Sequence, residues 1–384
     1  MRRLRRDDSG AVATIVAILL STTVLLAMAA LTVDLGQLYA ERREIQNGAD
    51  ASALAVAQSC ARAEAECASA AAAVTMAQDY ADVNAKDGTT AVTEVCIRKG
   101  ASTLGSCTPS SGHWTDCLAA TPGGDYVMVR TRTRTTSGAT FYPRTFSRAL
   151  TGAGDPGTPV AACGRATWGG VAAAASSVAL ALSLKEWECM TDGGTSYAPP
   201  PPYPATGIVP SLGPYEKVLK FHTVTASACP AADAMSGPSG WDLPGGFGWL
   251  DDTSPTDPSA DCSAYVSSGG TVGDDTGVPA SSVCKAALAT AWGSRTVLYL
   301  PVFDGVTGGG GGSYHIRGYA AFVLTGYRFP GSGMTKASWV TGSPPCAPPN
   351  TCISGFFTEA LVEASAVPTS GGPSLGASVV GMVG

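Results

Sequence analysis

The feature that most constrains this 384-residue chain is an uncharged run from Gly10 to Val33, GAVATIVAILLSTTVLLAMAALTV. At about 1.5 Å per helical residue it spans roughly 36 Å, enough to cross a ~30 Å hydrocarbon core with some tilt. After Val33 the pattern changes, and no proline interrupts it. Leu35, Leu38, Ile45, Ala49, Ser52 and Val56 recur at spacings of three, four and seven, with Asp34, Glu41, Arg43, Glu44 and Asp50 between them. This predicts an amphipathic helix continuing out of the membrane over residues 34–59, with a kink near Gly48.

Charge orients the run. Arg2, Arg3, Arg5 and Arg6 precede it, whereas Glu41, Arg42, Arg43 and Glu44 cancel beyond it, which predicts a cytoplasmic N-terminus and an exterior remainder. Cysteine usage agrees independently. All twelve cysteines follow the run, as expected of disulfides in an oxidising compartment. A zinc site is the weaker reading, because no C-x2-C pair occurs and His113, His222 and His315 are scattered. Ala27-Met28-Ala29 has the form signal peptidase accepts, yet the helical pattern passes through it unbroken. Asp7 and Asp8 after Arg5-Arg6 argue against a twin-arginine signal.

Charged residues make up 14% of the chain and the net charge is −6, so there is no electrostatic case for nucleic acid. Much of the hydrophobic 45% is alanine, which predicts a thin core rich in loops. The expected fold class is α+β. A single N-terminal transmembrane helix extends into a pilin-like amphipathic helix packed on a small antiparallel sheet, and a β-rich, disulfide-stabilised region follows. The expected division is a cytoplasmic basic segment (1–9), a transmembrane helix (10–33), an extracytoplasmic α+β stalk domain (34–170) and a β-rich, Gly/Pro-rich extracytoplasmic region (171–384).

Within the stalk, a helix is expected across 68–84, with Ala73, Met76, Ala77 and Tyr80 as its packing stripe. Cys60 and Cys67 lie about 10 Å apart if on one helix, so they bond elsewhere or the helix breaks between them. Strands are expected over Thr90–Ile97, Tyr126–Thr136 and Val160–Trp168, with Phe141–Leu150 a short apolar segment. Along YVMVRTRTRTT, arginines 130, 132 and 134 share one face and threonines 131, 133 and 135 the other. The basic face reads as a solvated outer surface, with anionic lipid headgroups or an acidic partner as the alternative. Further strands are expected at 178–184, ending at Trp187–Cys189, and at 218–224, 295–303 and 314–327. Ile353–Val367 ends the ordered region, and the tail from 368 frays or packs as an edge. The glycines at 308–312 precede a β pattern, which indicates a hairpin loop and not a phosphate cradle.

Catalytic constellations are not found: G-x-S-x-G and H-E-x-x-H are absent, and scattered histidines give no triad. Asp251-Asp252, Asp274-Asp275 and Asp304 sit in glycine-rich loops but lack calcium-loop spacing. No cofactor or metal is called for. Two local disulfides are preferred, Cys262 with Cys284 and Cys346 with Cys352. The strongest alternative to a structural protein is a carbohydrate-binding domain or enzyme, with Trp241, Trp249 and Asp251 as its contacts.

Three groups of residues carry a family resemblance: Ser9-Gly10-Ala11-Val12-Ala13; Val33-Asp34-Leu35-Gly36-Gln37-Leu38-Tyr39; and Arg43-Glu44-Ile45-Gln46-Asn47-Gly48-Ala49-Asp50-Ala51-Ser52-Ala53-Leu54-Ala55. Residues 8–57 resemble the N-terminal module of the TadE/TadG-like family of Flp (tight-adherence) pilus-assembly proteins. The segments Gly248-Trp249-Leu250-Asp251, LPVFDGV and YHIRGYAAFVLTGY also resemble C-terminal parts of larger members. The resemblance implies a membrane-anchored, outward-facing, non-enzymatic protein in pilus assembly or the cell envelope. Its partners would be the membrane itself and other assembly or envelope proteins, met through the membrane and stalk helix. Some relatives are pseudopilins cut by a prepilin peptidase after a glycine, here Gly10. The pilin-type glutamate five residues beyond the cut is replaced by Ile15.

Overall fold

The described residues of the uncharged run are helical. In a computed structural model, α1 covers Ser9–Leu19 and α2 covers Thr22–Ala61. The structure describes residues 9–19, 22–108, 117, 123–141, 157–221, 223, 235–251, 262–274, 282–307, 312–362 and 369–383. The chain divides into two compact units, one of Met1–Val56, Ala65–Ala166 and Met382–Gly384, the other of Ala57–Glu64 and Thr167–Gly381.

The first unit is organised on the C-terminal half of α2. Ile45, Ala49, Ala53 and Val56 are spaced by four, four and three residues, and all are buried. Helix α3 (Ala70–Asn84) opens on Ser69, whose hydroxyl accepts the Ala72 N–H at 3.2 Å. It buries Ala73, Ala77 and Ala81. The stripe therefore runs through Ala81, and Tyr80, expected in it, is 47% exposed. Small residues on both helices bring the backbones close. The Ser52 hydroxyl donates to the Ala77 carbonyl at 2.6 Å, and a methyl on Gly48 would lie 3.3 Å from the Ala81 carbonyl oxygen. Gly48 is thus a point of close approach within α2, which is helical from Thr22 to Ala61.

Strands β1 (Thr90–Lys99), β2 (Ser102–Gly105), β3 (Asp125–Thr133) and the start of β4 (Ala161–Ala175) form this unit's sheet in the order β4-β3-β1-β2. Pairing of β1 with β2 and with β3 is antiparallel. The threonine face of β3 points inward: Thr131 and Thr133 are buried, and the Thr131 hydroxyl donates to the Ile45 carbonyl at 3.0 Å. The arginine face is the outer one, and there Arg130 pairs with Glu94 at 3.3 Å. Gly164 of β4 lies directly on α2, where a methyl would sit 2.4 Å from the Ala49 carbonyl.

The second unit is larger and aromatic. Strands β5 (Leu180–Ser183), β6 (Lys217–Lys220), β7 (Phe247–Trp249), β10 (Val297–Thr307), β11 (Ser313–Phe329) and β13 (Cys352–Thr358) order as β6-β13-β11-β10-β5-β7. All these neighbours are antiparallel except β10 and β5, which run parallel. Strands β9 (Thr271–Gly273) and β12 (Met334–Lys336) add to β11. The later half of β4 joins β8 (Tyr265–Ser267), β14 (Ala360–Leu361), β15 (Thr369–Gly372) and β16 (Ala377–Met382) in a second layer. Val171, Ala174 and Ala377 of that layer pack on Tyr319 and Ala321 of β11.

Several expectations are corrected here. The strand expected to reach Leu184 and end at Trp187–Cys189 stops at Ser183, and α4 (Leu184–Thr191) begins. Ser183 caps it, its hydroxyl accepting the Lys185 N–H at 3.2 Å. The C-terminal half also contains α5 (Ser282–Ser294). Its buried Cys284, Leu288 and Ala291 follow an i, i+4, i+7 pattern that was present in the sequence. The tail forms β16, which lies between β14 and β4 and is neither frayed nor an edge. The apolar segment expected at Phe141–Leu150 lies outside the described residues beyond Phe141.

Disulfides link Cys96 to Cys107, Cys117 to Cys163, Cys262 to Cys284 and Cys346 to Cys352. Cys60, Cys67 and Cys189 are also disulfide-bonded, and α2 ends at Ala61 between the first two.

Candidate functional site

Helix α1 and the N-terminal half of α2 carry the chemistry that most needs explaining. Nine large apolar side chains between Val12 and Val33 are 42–69% exposed: Val12, Ile15, Val16, Ile18, Leu25, Leu26, Met28, Leu31 and Val33. Covering such a side chain is worth about 1.5–3 kcal/mol, so leaving them all in water is strongly unfavourable. The helix from Val24 is long and apolar enough to cross a membrane, and none of its most apolar stretch is buried. Gly10 lies in the first turn of α1.

The helix changes character over about two turns. Leu35 and Tyr39 remain exposed, Leu38 packs beside Ile45 and Val160, and from Ile45 onward the inner face is covered. Polar residues accompany the change. Gln46 donates to Asp50 and to the Cys163 carbonyl, both at 2.9 Å. Burial raises the Asp50 pKa, and the Gln46 hydrogen bond offsets part of that rise. Burial likewise raises the Glu41 pKa; the neighbouring Thr133 side chain opposes the rise, and the Glu44 and Asp87 carboxylates add to it.

The alternative ligand surface does not assemble. Trp249 is 2% exposed and sits in the aromatic core beside Phe329, at a ring separation of 5.8 Å. Asp251 is exposed, and its backbone N–H donates to the Gly273 carbonyl at 3.0 Å. Trp241 is half-buried and packs on His315 at 5.3 Å. The sequence reading missed that His315 Nδ1 meets the buried Asp304 carboxylate at 2.5 Å. A bulge in the β10–β11 pairing around Phe303 and Gly305 aims Asp304 at the histidine. Among the described residues no serine, cysteine or lysine side chain hydrogen-bonds to this pair, and no group of three or more potential metal ligands gathers. Asp274 and Asp304, two of the candidate calcium ligands, instead face Tyr314 and His315.

A bare apolar helix thus becomes the packed spine of an α+β unit. Residues 10–59 match the family described as Putative Flp pilus-assembly TadE/G-like. The chain therefore carries a TadE/G-like module, and the match links it to Flp pilus assembly. No curated protein and no solved structure matches the chain.

Proposed function

We propose that this chain is a single-pass, membrane-anchored structural protein of Flp/Tad-type pilus assembly, with a cytoplasmic N-terminus, both units outside the membrane and no catalytic role. One observation carries the reading: an apolar helix none of whose most apolar stretch is buried lies inside the segment that matches the pilus-assembly family. The disulfides support the exterior placement, since such bonds persist in oxidising compartments. Small residues along the apolar run, including Ala11, Ala13, Ala17, Ala27, Ala29 and Ala30, suit close packing against the helices of other assembly or envelope proteins.

The test is the intact mass and N-terminal sequence of the protein extracted from carbonate-washed native membranes. An uncut chain supports a permanent anchor. A new N-terminus at Ala11 identifies a processed pseudopilin, and one at Ala30 means signal peptidase has released the protein and the anchored reading fails. Protease added to intact spheroplasts should degrade both units and spare the basic N-terminus.

A further inference from the structure

The end of the first unit nearest the bare helix is built from α2, β3 and the turn between α3 and β1. Along α2 and β3 the chain runs in opposite directions. Thr131 bonds to the Ile45 carbonyl, and two residues on, Thr133 lies beside Glu41. The segment after β3 therefore continues toward the apolar run. The Thr89 hydroxyl donates to the Arg134 carbonyl at 2.8 Å, which ties the turn between α3 and β1 to that segment. Thr135 and Ala139 close a turn, with the Thr135 N–H donating to the Ala139 carbonyl at 2.9 Å. The Lys86 N–H donates to the Glu44 carboxylate at 3.0 Å and fixes the first turn on α2. Glu41 is only seven residues, about 10 Å, past Asp34, the first charge after the apolar run.

Both signs of charge meet at this tip. Three carboxylates accept backbone N–H groups: Glu44 takes Lys86 N–H, exposed Asp87 takes Thr89 N–H at 3.1 Å, and Asp82 takes Thr90 N–H at 2.7 Å, while half-buried Glu41 faces the Thr133 side chain. The cations Lys86, Arg132 and Arg134 are exposed. A polar hollow of about 280 Å³, lined by Arg134, Asp82 and four threonines, opens beside them with room for a phosphate. Exposed Tyr39 and Phe141 flank the tip in the chain, and tyrosine, with its amphipathic ring, favours a membrane–water interface.

We propose that this tip rests on anionic phospholipid headgroups through Lys86, Arg132 and Arg134, so that the first unit lies against the membrane surface as well as hanging from its helix. The proposal rests on the anchored reading above. With the run spanning the hydrocarbon core, the tip falls within about one Debye length, ~8–10 Å, of the headgroup layer. Each basic residue held there strengthens attraction to an anionic surface about fivefold.

The test uses the full chain in nanodiscs of phosphatidylcholine alone and of phosphatidylcholine with phosphatidylglycerol, read by hydrogen exchange at residues 86–89 and 134–139. Exchange there should slow about fivefold or more only in the anionic discs. The protection should vanish at high salt and in a K86Q/R132Q/R134Q variant whose β1 and β3 amides stay protected. Equal exchange in both discs, or protection indifferent to the three substitutions, overturns the lipid contact and leaves an acidic protein as the better match for these cations, while anchoring stands. A chain that enters neither disc overturns the anchored reading and this one with it.

Discussion

The two units solve the packing problem in opposite ways. In the first, the helix faces are alanine and glycine: Ala49, Ala53, Ala73, Ala77 and Ala81 are buried, and Gly48 and Gly164 let backbones touch. In the second, large rings fill the space: Phe247, Phe303, Phe322, Phe329, Phe356, Tyr319, Tyr327 and Trp249 are almost wholly buried. A backbone-to-backbone interface gains from dispersion and loses if anything is inserted. A ring-filled core gains from apolar area and loses if anything is removed. One unit is thus sensitive to added methyls and the other to cavities.

That contrast breaks most readily from the aromatic side. Phe322 is fully buried and stacks edge-on to Phe357 at 5.3 Å, so Phe322→Ala should cost about 3–5 kcal/mol. In chemical denaturation the loss should be confined to the second unit. Next come the disulfides. The Cys117–Cys163 bond closes 46 residues and Cys346–Cys352 only 6. On loop entropy alone their removal should cost about 4 and about 2 kcal/mol. Paired Cys→Ala variants compared by hydrogen exchange would show whether the alanine-based unit depends more on its bonds.

Gly164→Ala should destabilise the first unit by about 1–3 kcal/mol, because its methyl meets backbone on α2, not a movable side chain. Gly48→Ala, with 3.3 Å of room, should change little by comparison, and equal effects would show that the interface relaxes freely. The smallest effect concerns pH. Burial raises the Glu41 pKa above its ordinary 4.5, so the folded unit binds that proton more tightly than the unfolded chain does. Stability from this group is fully present below about pH 4.5 and is lost as pH rises through the raised value. Glu41→Gln should therefore stabilise the first unit slightly at pH 7, with the gain disappearing near pH 4, as read from denaturation midpoints at both pH values.

Legibility in the sequence followed the range of the interaction. The apolar run, the period of α2, the alternation of β3 and the family motifs are local patterns and are found close to where those patterns put them, although β3 ends at Thr133, short of the expected Thr136, and Thr135 closes a turn. Helix α5 was legible too, through Cys284, Leu288 and Ala291, but its glycine-rich and proline-rich surroundings hid it. The strand-to-helix switch at Ser183 left little local trace, because alternating Val178, Leu180 and Leu182 run straight into Leu184 and only the capping serine marks the change. For the candidate site, Trp249 illustrates the limit. An aromatic residue beside an acidic one reads as a binding surface until the fold places the ring against Phe329.

By itself the sequence determined that a long uncharged helix opens this chain, that the helix turns amphipathic after Val33, and that this module is of the TadE/G-like kind, because period and charge are properties of neighbours along the chain. Only the tertiary structure decided which apolar residues stay uncovered, that Gly48 is a point of close approach to α3, that Asp304 finds His315, and that the cations of the β3 tip are exposed while Glu44, Asp82 and Asp87 accept backbone N–H groups. Those outcomes depend on pairings between segments far apart in the chain, and closing such loops is decided by the packing and hydrogen bonds of the whole unit.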